Sequence, residues 1–135
     1  AQVGYTGKAA MVAAPNDSTL IQEDVAETSP KLSYQVAFTQ TGNYHFWIRM
    51  LGESGADNSV WLGLDGTPET NIVAILGDGT WQWASTQVTV DTPGVHDVCV
   101  WMREDGTYVD RLTLDGNTSS PPADNLPESP RSSTP

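Results

Sequence analysis

From Leu32 onward, apolar and other residues alternate with a period of two, and Gly, Pro, Asn and Asp break the runs. That is the pattern of short antiparallel strands. It predicts strands over Leu32–Thr39, Tyr44–Leu51, Ser59–Leu64, Asn71–Leu76, Trp81–Val90, Val95–Arg103 and Thr107–Leu114. Turn signals separate them at Thr41-Gly42-Asn43, Asp65-Gly66, Thr92-Pro93-Gly94 and Glu104-Asp105-Gly106. Within Tyr44–Leu51 the alternation puts Tyr44, Phe46, Ile48 and Met50 on one face, and His45, Trp47, Arg49 and Leu51 on the other. No segment carries a 3.6-residue apolar period with flanking caps. Six or seven strands at this spacing predict an all-β fold, an antiparallel two-sheet β-sandwich.

After Asp115 the composition turns to Ser, Pro, Asn and Asp with almost no large apolar residue. The expected organisation is therefore one domain over residues 1–115 and a linker or extended tail over 116–135. A chain of 135 residues suits one domain with a real core. Seventeen acids against six bases give a net charge of −11, which argues against a nucleic acid or an anionic membrane surface as partner. Cys99 is the one cysteine, so no intrachain disulfide forms, and its apolar neighbours predict burial. No apolar run approaches the roughly 20 residues that span a bilayer. The chain opens with Ala1 and reads as a processed or excised piece.

The candidate chemistry lies in two segments. Thr80-Trp81-Gln82-Trp83 comes after a Gly-Asp-Gly turn, and in an extended strand Trp81 and Trp83 share a face. Trp101-Met102-Arg103-Glu104-Asp105-Gly106 ends a strand with an arginine and two carboxylates. Aromatic faces beside hydrogen-bonding charges suit a sugar, whose apolar C–H face stacks on an indole while polar groups take its hydroxyls. The competing reading makes the tryptophans core and Arg103, Glu104 and Asp105 an ion pair or turn cap. Trp61 is a less secure platform than Trp81. One platform with a few hydrogen bonds implies micromolar to millimolar affinity. Asp110 alternates with Leu112 and Leu114 and is expected to point inward, where a calcium ion or backbone amides would satisfy it.

Catalysis is poorly supported. There is no Gly-x-Ser-x-Gly elbow, Gly-rich phosphate loop or His-Glu-x-x-His. Two histidines, His45 and His96, and one cysteine leave little for a zinc site. Among seventeen carboxylates nothing singles out a glycosidase pair.

The runs Leu32 to Phe38, Thr41 to Arg49, Asp57 to Gly66 and Trp101 to Leu114 resemble the strands of galactose-binding-like, jelly-roll carbohydrate-binding modules. The pattern is similar to families 6 and 35 and to the C-terminal domain of family 115 glycoside hydrolases, over roughly Gly4 to Leu114. The resemblance implies a non-catalytic module of a secreted polysaccharide-degrading or surface protein. It implies that Trp81, helped by Trp83, Arg103, Glu104 and Asp105, binds a polysaccharide or oligosaccharide in a loop-end cleft. It also implies a structural calcium site containing Asp110. Such domains normally begin with a strand carrying Glu-Ala-Glu, whereas the start of this chain resembles the segment after that strand. The departure weakens the calcium expectation and leaves sheet edges open to another chain or neighbouring segment. The alternative is a structural or adhesive spacer without a ligand, a reading that burial of all five tryptophans would favour.

Overall fold

Along the chain the elements are β1 (Met11–Val12), α1 (Val25–Thr28), β2 (Lys31–Phe38), β3 (Gly42–Leu51), β4 (Ser59–Leu64), β5 (Thr67–Pro68), β6 (Val73–Ala74), β7 (Trp81–Val90), β8 (Gly94–Met102) and β9 (Tyr108–Asp115). The computed structural model describes residues 11–12 and 20–115, so the expected tail over 116–135 lies outside the described residues. The strands form two antiparallel sheets, one ordered β1-β9-β3-β7 and the other β2-β8-β4-β5, with β6 added to β4.

Period-two burial explains why these segments pair as they do. Phe46, Ile48 and Met50 of β3 and Val88 and Val90 of β7 face Phe38 of β2, Val60 and Leu62 of β4, and Val98 and Val100 of β8 in one shared core. Each such side chain stabilises the sandwich by about 1.5–3 kcal/mol when fully buried. A one-residue slip in register would move the whole apolar set of a strand to the opposite face.

The second sheet also buries part of its outer face. Trp61, Cys99 and Trp101 pack there with Val25 and Ile21. The segment 20–30 is tied down over them. Ile21 N donates to Arg103 O at 2.7 Å, Trp61 Nε1 to Ile21 O at 2.9 Å, and Ser29 Oγ to Met102 O at 2.5 Å. Cys99 is buried, as its neighbours predict.

The short elements depart from the expected pattern, β1 and β5 among them. The run Asn71–Leu76 pairs as a strand only over Val73–Ala74. Beyond it, Asn58 holds Ile75 directly, accepting from Ile75 N at 3.0 Å and donating Nδ2 to Ile75 O at 2.6 Å. The four-residue turn α1 is too short to carry a helical period. At the Asp65-Gly66 signal the chain makes a two-residue hairpin turn from β4 to β5. Both residues have positive φ, 52° and 82°, which the favoured hairpin turn requires.

That turn is clasped to the β7–β8 turn. Asp65 Oδ2 lies 2.5 Å from His96 Nδ1, Asp65 Oδ1 accepts from Asp97 N at 2.9 Å, and His96 Nε2 lies 2.7 Å from Thr92 O. Both ring nitrogens face acceptors, so the imidazolium is the form that fits. The Asp65 carboxylate, and after it the Thr92 carbonyl, raises the His96 pKa above its ordinary 6.5. The same His96 bond, and after it the Asp97 amide, lowers that of Asp65 below 3.8. His96 thus contributes stability fully below its unfolded pKa and loses it as pH rises through the folded one. Asp65 contributes above 3.8 and loses it as pH falls through the lowered value. His96→Ala should therefore lower Tm more at about pH 5 than at about pH 9. Thermal melts of both proteins across that range give the comparison; an equal loss at both ends would show that the clasp is not protonation-linked.

Candidate functional site

Because Tyr44, Phe46, Ile48 and Met50 turn inward, the other face of β3 and its cross-strand partners form the outer surface of the first sheet. The register sets Leu51 opposite Trp81, Arg49 opposite Trp83, Trp47 opposite Ser85 and His45 opposite Gln87. On the other flank of β3, Arg111 lies opposite Arg49 and Thr113 opposite Trp47. Three tryptophans and two arginines thus share one sheet face. Trp47, Arg49 and Leu51 are buried within it, while Trp81 and Trp83 are half-buried.

Arg49 organises this face. Its Cζ sits 4.9 Å from the Trp81 ring centroid, a cation–π contact worth about 0.5–2 kcal/mol. Its Nη1 lies 2.7 Å from Asp110 Oδ2, with side chains 8% and 0% exposed. The register of β9 against β3 shifts between Arg49 and Met50, and this β-bulge takes Asp110 out of the alternation with Leu112 and Leu114. The expected inward orientation of Asp110 is corrected accordingly: its carboxylate meets an outer-face guanidinium.

A braced turn leads into Trp81. Gly79 has φ +79°, a conformation that favours glycine, and its N–H donates to Gly52 O at 2.8 Å. Asp78 Oδ1 accepts from Thr80 N at 3.1 Å, Thr80 Oγ1 at 2.6 Å and Gln82 Nε2 at 2.9 Å. These bonds, the Thr80 hydroxyl first, hold its carboxyl below the usual carboxylate range. Leu76 N donates to Gln82 Oε1 at 3.2 Å. A Cβ on Gly77 would lie 2.0 Å from Ser54 O, so the turn rests directly on the 52–58 loop.

Arg103 and Glu104 form a second set of contacts. Arg103 donates Nη1 to Ser59 Oγ at 2.9 Å and Nη2 to Gln22 Oε1 at 3.0 Å. Ser59 Oγ also bonds Glu104 Oε1, and the Arg103 guanidinium lies 5.9 Å over Trp61. Glu104 and Asp105 are buried at 8% and 1% exposure. Arg103 and Trp61 flank the second sheet, whereas Trp81 and Trp83 lie with Arg49 on the first. Leu51 pairs with both Trp81 and Tyr108, so the 103–107 turn that precedes Tyr108 lies at the same end of the sandwich as Trp81. The sequence does not single out Arg49, Asp78 or Gln82 as candidates. The alternation already placed Arg49 beside Trp47, but its contact with Trp81 depends on the pairing of β3 with β7.

Calcium takes six to eight oxygen ligands. Among the described residues, no group of three or more His, Cys, Asp or Glu side chains is placed to share a metal ion. Asp110 carries the Arg49 guanidinium, which would repel a divalent cation. The described residues do not fit a calcium site.

No family model matches the chain. It is 34% identical over 113 residues to the uncharacterized protein P23 of Formosa agariphila, a match covering 71% of this chain and 27% of that protein. The chain thus spans about a quarter of that relative's length. Among solved structures it is similar to a family 35 carbohydrate-binding module of Paenibacillus barcinonensis, with TM-score 0.65, 19% identity and coverage of 86% of this chain and 84% of that one. The corresponding module of Clostridium thermocellum gives 0.61, 15%, 84% and 82%. A family 26 β-(1,4)-mannanase of Podospora anserina with a family 35 module gives 0.64, 22%, 95% and 26%. The chain therefore has the β-sandwich fold of family 35 modules.

Removing the carboxylate that faces Arg49 leaves a guanidinium buried with less compensation. Asp110→Ala should cost about 3–5 kcal/mol, measured by urea denaturation. A loss below about 1 kcal/mol, the value of an exposed pair, would mean that the pair is not structural.

Proposed function

We propose that this domain is a non-catalytic carbohydrate-binding module of a longer, secreted polysaccharide-degrading or surface protein. The carrying observation is that Trp81 and Trp83 stay half-buried on a sheet face while Trp47, Trp61 and Trp101 are buried. Burial of all five would have favoured the spacer. Trp81 serves as the platform at the edge of the face, beside the braced turn, and Trp83 extends the aromatic surface. The fold shared with family 35 modules supports the same reading.

Arg103, Glu104 and Asp105 act in this reading as a brace that closes one end of the sandwich. The hydrogen bonds of Arg103 and Glu104 to Ser59 and Gln22, with Asp105 buried beside them in the chain, give the three a supporting part in sugar contact. Arg49 on Asp110 supports binding that does not require calcium.

The test is an affinity-gel screen with marine galactans, alginate, xylan and pectin. Retardation on one class, weakened at least about tenfold by Trp81→Ala with Tm preserved, is the expected result; tenfold corresponds to about 1.4 kcal/mol, near the upper value of one aromatic stack. A folded protein retarded by none of them would point to the spacer. Repeating the gels with EDTA and with added calcium should give equal retardation. Retardation that appears only with calcium would show that the site needs the ion after all.

A further inference from the structure

We propose that Asp110 and Arg49 are positioning residues for Trp81, forming a relay across three strands that fixes the plane of the indole before ligand arrives. The proposal rests on Trp81 being the platform of the reading above. It begins with the bulge in β9, which turns Asp110 onto the outer face opposite β3. The Asp110 carboxylate, 0% exposed, takes Arg49 Nη1 at 2.7 Å, and the guanidinium then lies 4.9 Å from the Trp81 centroid. A guanidinium is planar, so one anchored edge orients its whole face.

Trp81 occupies the first position of β7, the strand that ends its sheet among the described residues. Its backbone is set by the turn that Asp78, Thr80 and Gln82 brace, but those bonds do not fix the ring. With the guanidinium 4.9 Å from the ring centroid, the plane of the indole is held at a set angle. A half-exposed aromatic side chain that is already ordered loses less freedom when a ligand docks, and that saving appears as affinity. This gives Asp110 a role that needs no metal.

The decisive comparison uses Arg49→Lys and Asp110→Asn. Lysine keeps a charge facing Asp110 but loses the planar face, and asparagine keeps the shape but loses the charge. The first readout needs no ligand: the tryptophan indole signals in a ¹H–¹⁵N spectrum, with that of Trp81 identified by its loss in Trp81→Phe. Both variants should shift or broaden the Trp81 signal while Trp61 and Trp101, on the other sheet, keep theirs. On the polysaccharide that retards the wild type, each variant should bind about three- to tenfold more weakly, the fold-change expected for ordering one large side chain. In a Trp81→Ala background, Arg49→Lys should weaken binding no further.

An unmoved Trp81 signal in either folded variant would overturn the relay, as would a further loss in the Trp81→Ala background. If Trp81→Ala leaves binding intact, the platform reading fails, and the indole signals still decide whether the relay orients the ring. Should Arg49→Lys fail to fold, Asp110→Asn decides the question alone.

Discussion

Every long strand of this domain has one face committed to the core that the two sheets share, and that commitment governs where any chemistry sits. Alternation sends Phe46, Ile48 and Met50 inward with Val88, Val90, Val98 and Val100. The same rule sends Trp47, Arg49, Trp81 and Trp83 outward, whatever their preference for burial. An outer face rich in tryptophan must then be covered or used. The second sheet covers its share: the segment 20–30 lies over Trp61 and Trp101. On the first sheet Trp81 and Trp83 remain half-buried.

The Arg49–Asp110 pair shows how the outer face is kept in order. A buried ion pair gains little net stability over apolar packing, but breaking it by removing one partner is costly. Its value lies in specificity of arrangement. Here the bulge in β9, the guanidinium on β3 and the indole on β7 hold one another in place across three strands. A similar device with different chemistry operates elsewhere in the sandwich, where His96 and Asp65 clasp two turns. The Arg103–Ser59–Glu104 network does the same where β8 passes into β9.

The likeness to family 35 modules lies in architecture, at identities of 19%, 15% and 22% in the three comparisons described. Sheets tolerate such divergence because the core needs only apolar residues of suitable volume at alternate positions. Ligand choice is set by a few outer-face and loop residues that vary without disturbing that core. The fold therefore says where a platform can stand, and the particular side chains on it say what is held.

The sequence by itself determined the sandwich, because alternation and turn chemistry are local. Ser59–Leu64 and Trp81–Val90 begin and end where the pattern places them, and Asp65-Gly66 makes the hairpin its composition announces. It also determined that Trp81 and Trp83 share a face, since side chains two apart in a strand always do. Only the tertiary structure decided what that face meets. Arg49 reaches Trp81 through the pairing of β3 with β7, and Asp110 reaches Arg49 through a bulge that no period-two pattern announces. Those are contacts between residues far apart in the chain, and alternation specifies a residue's face without naming its neighbours.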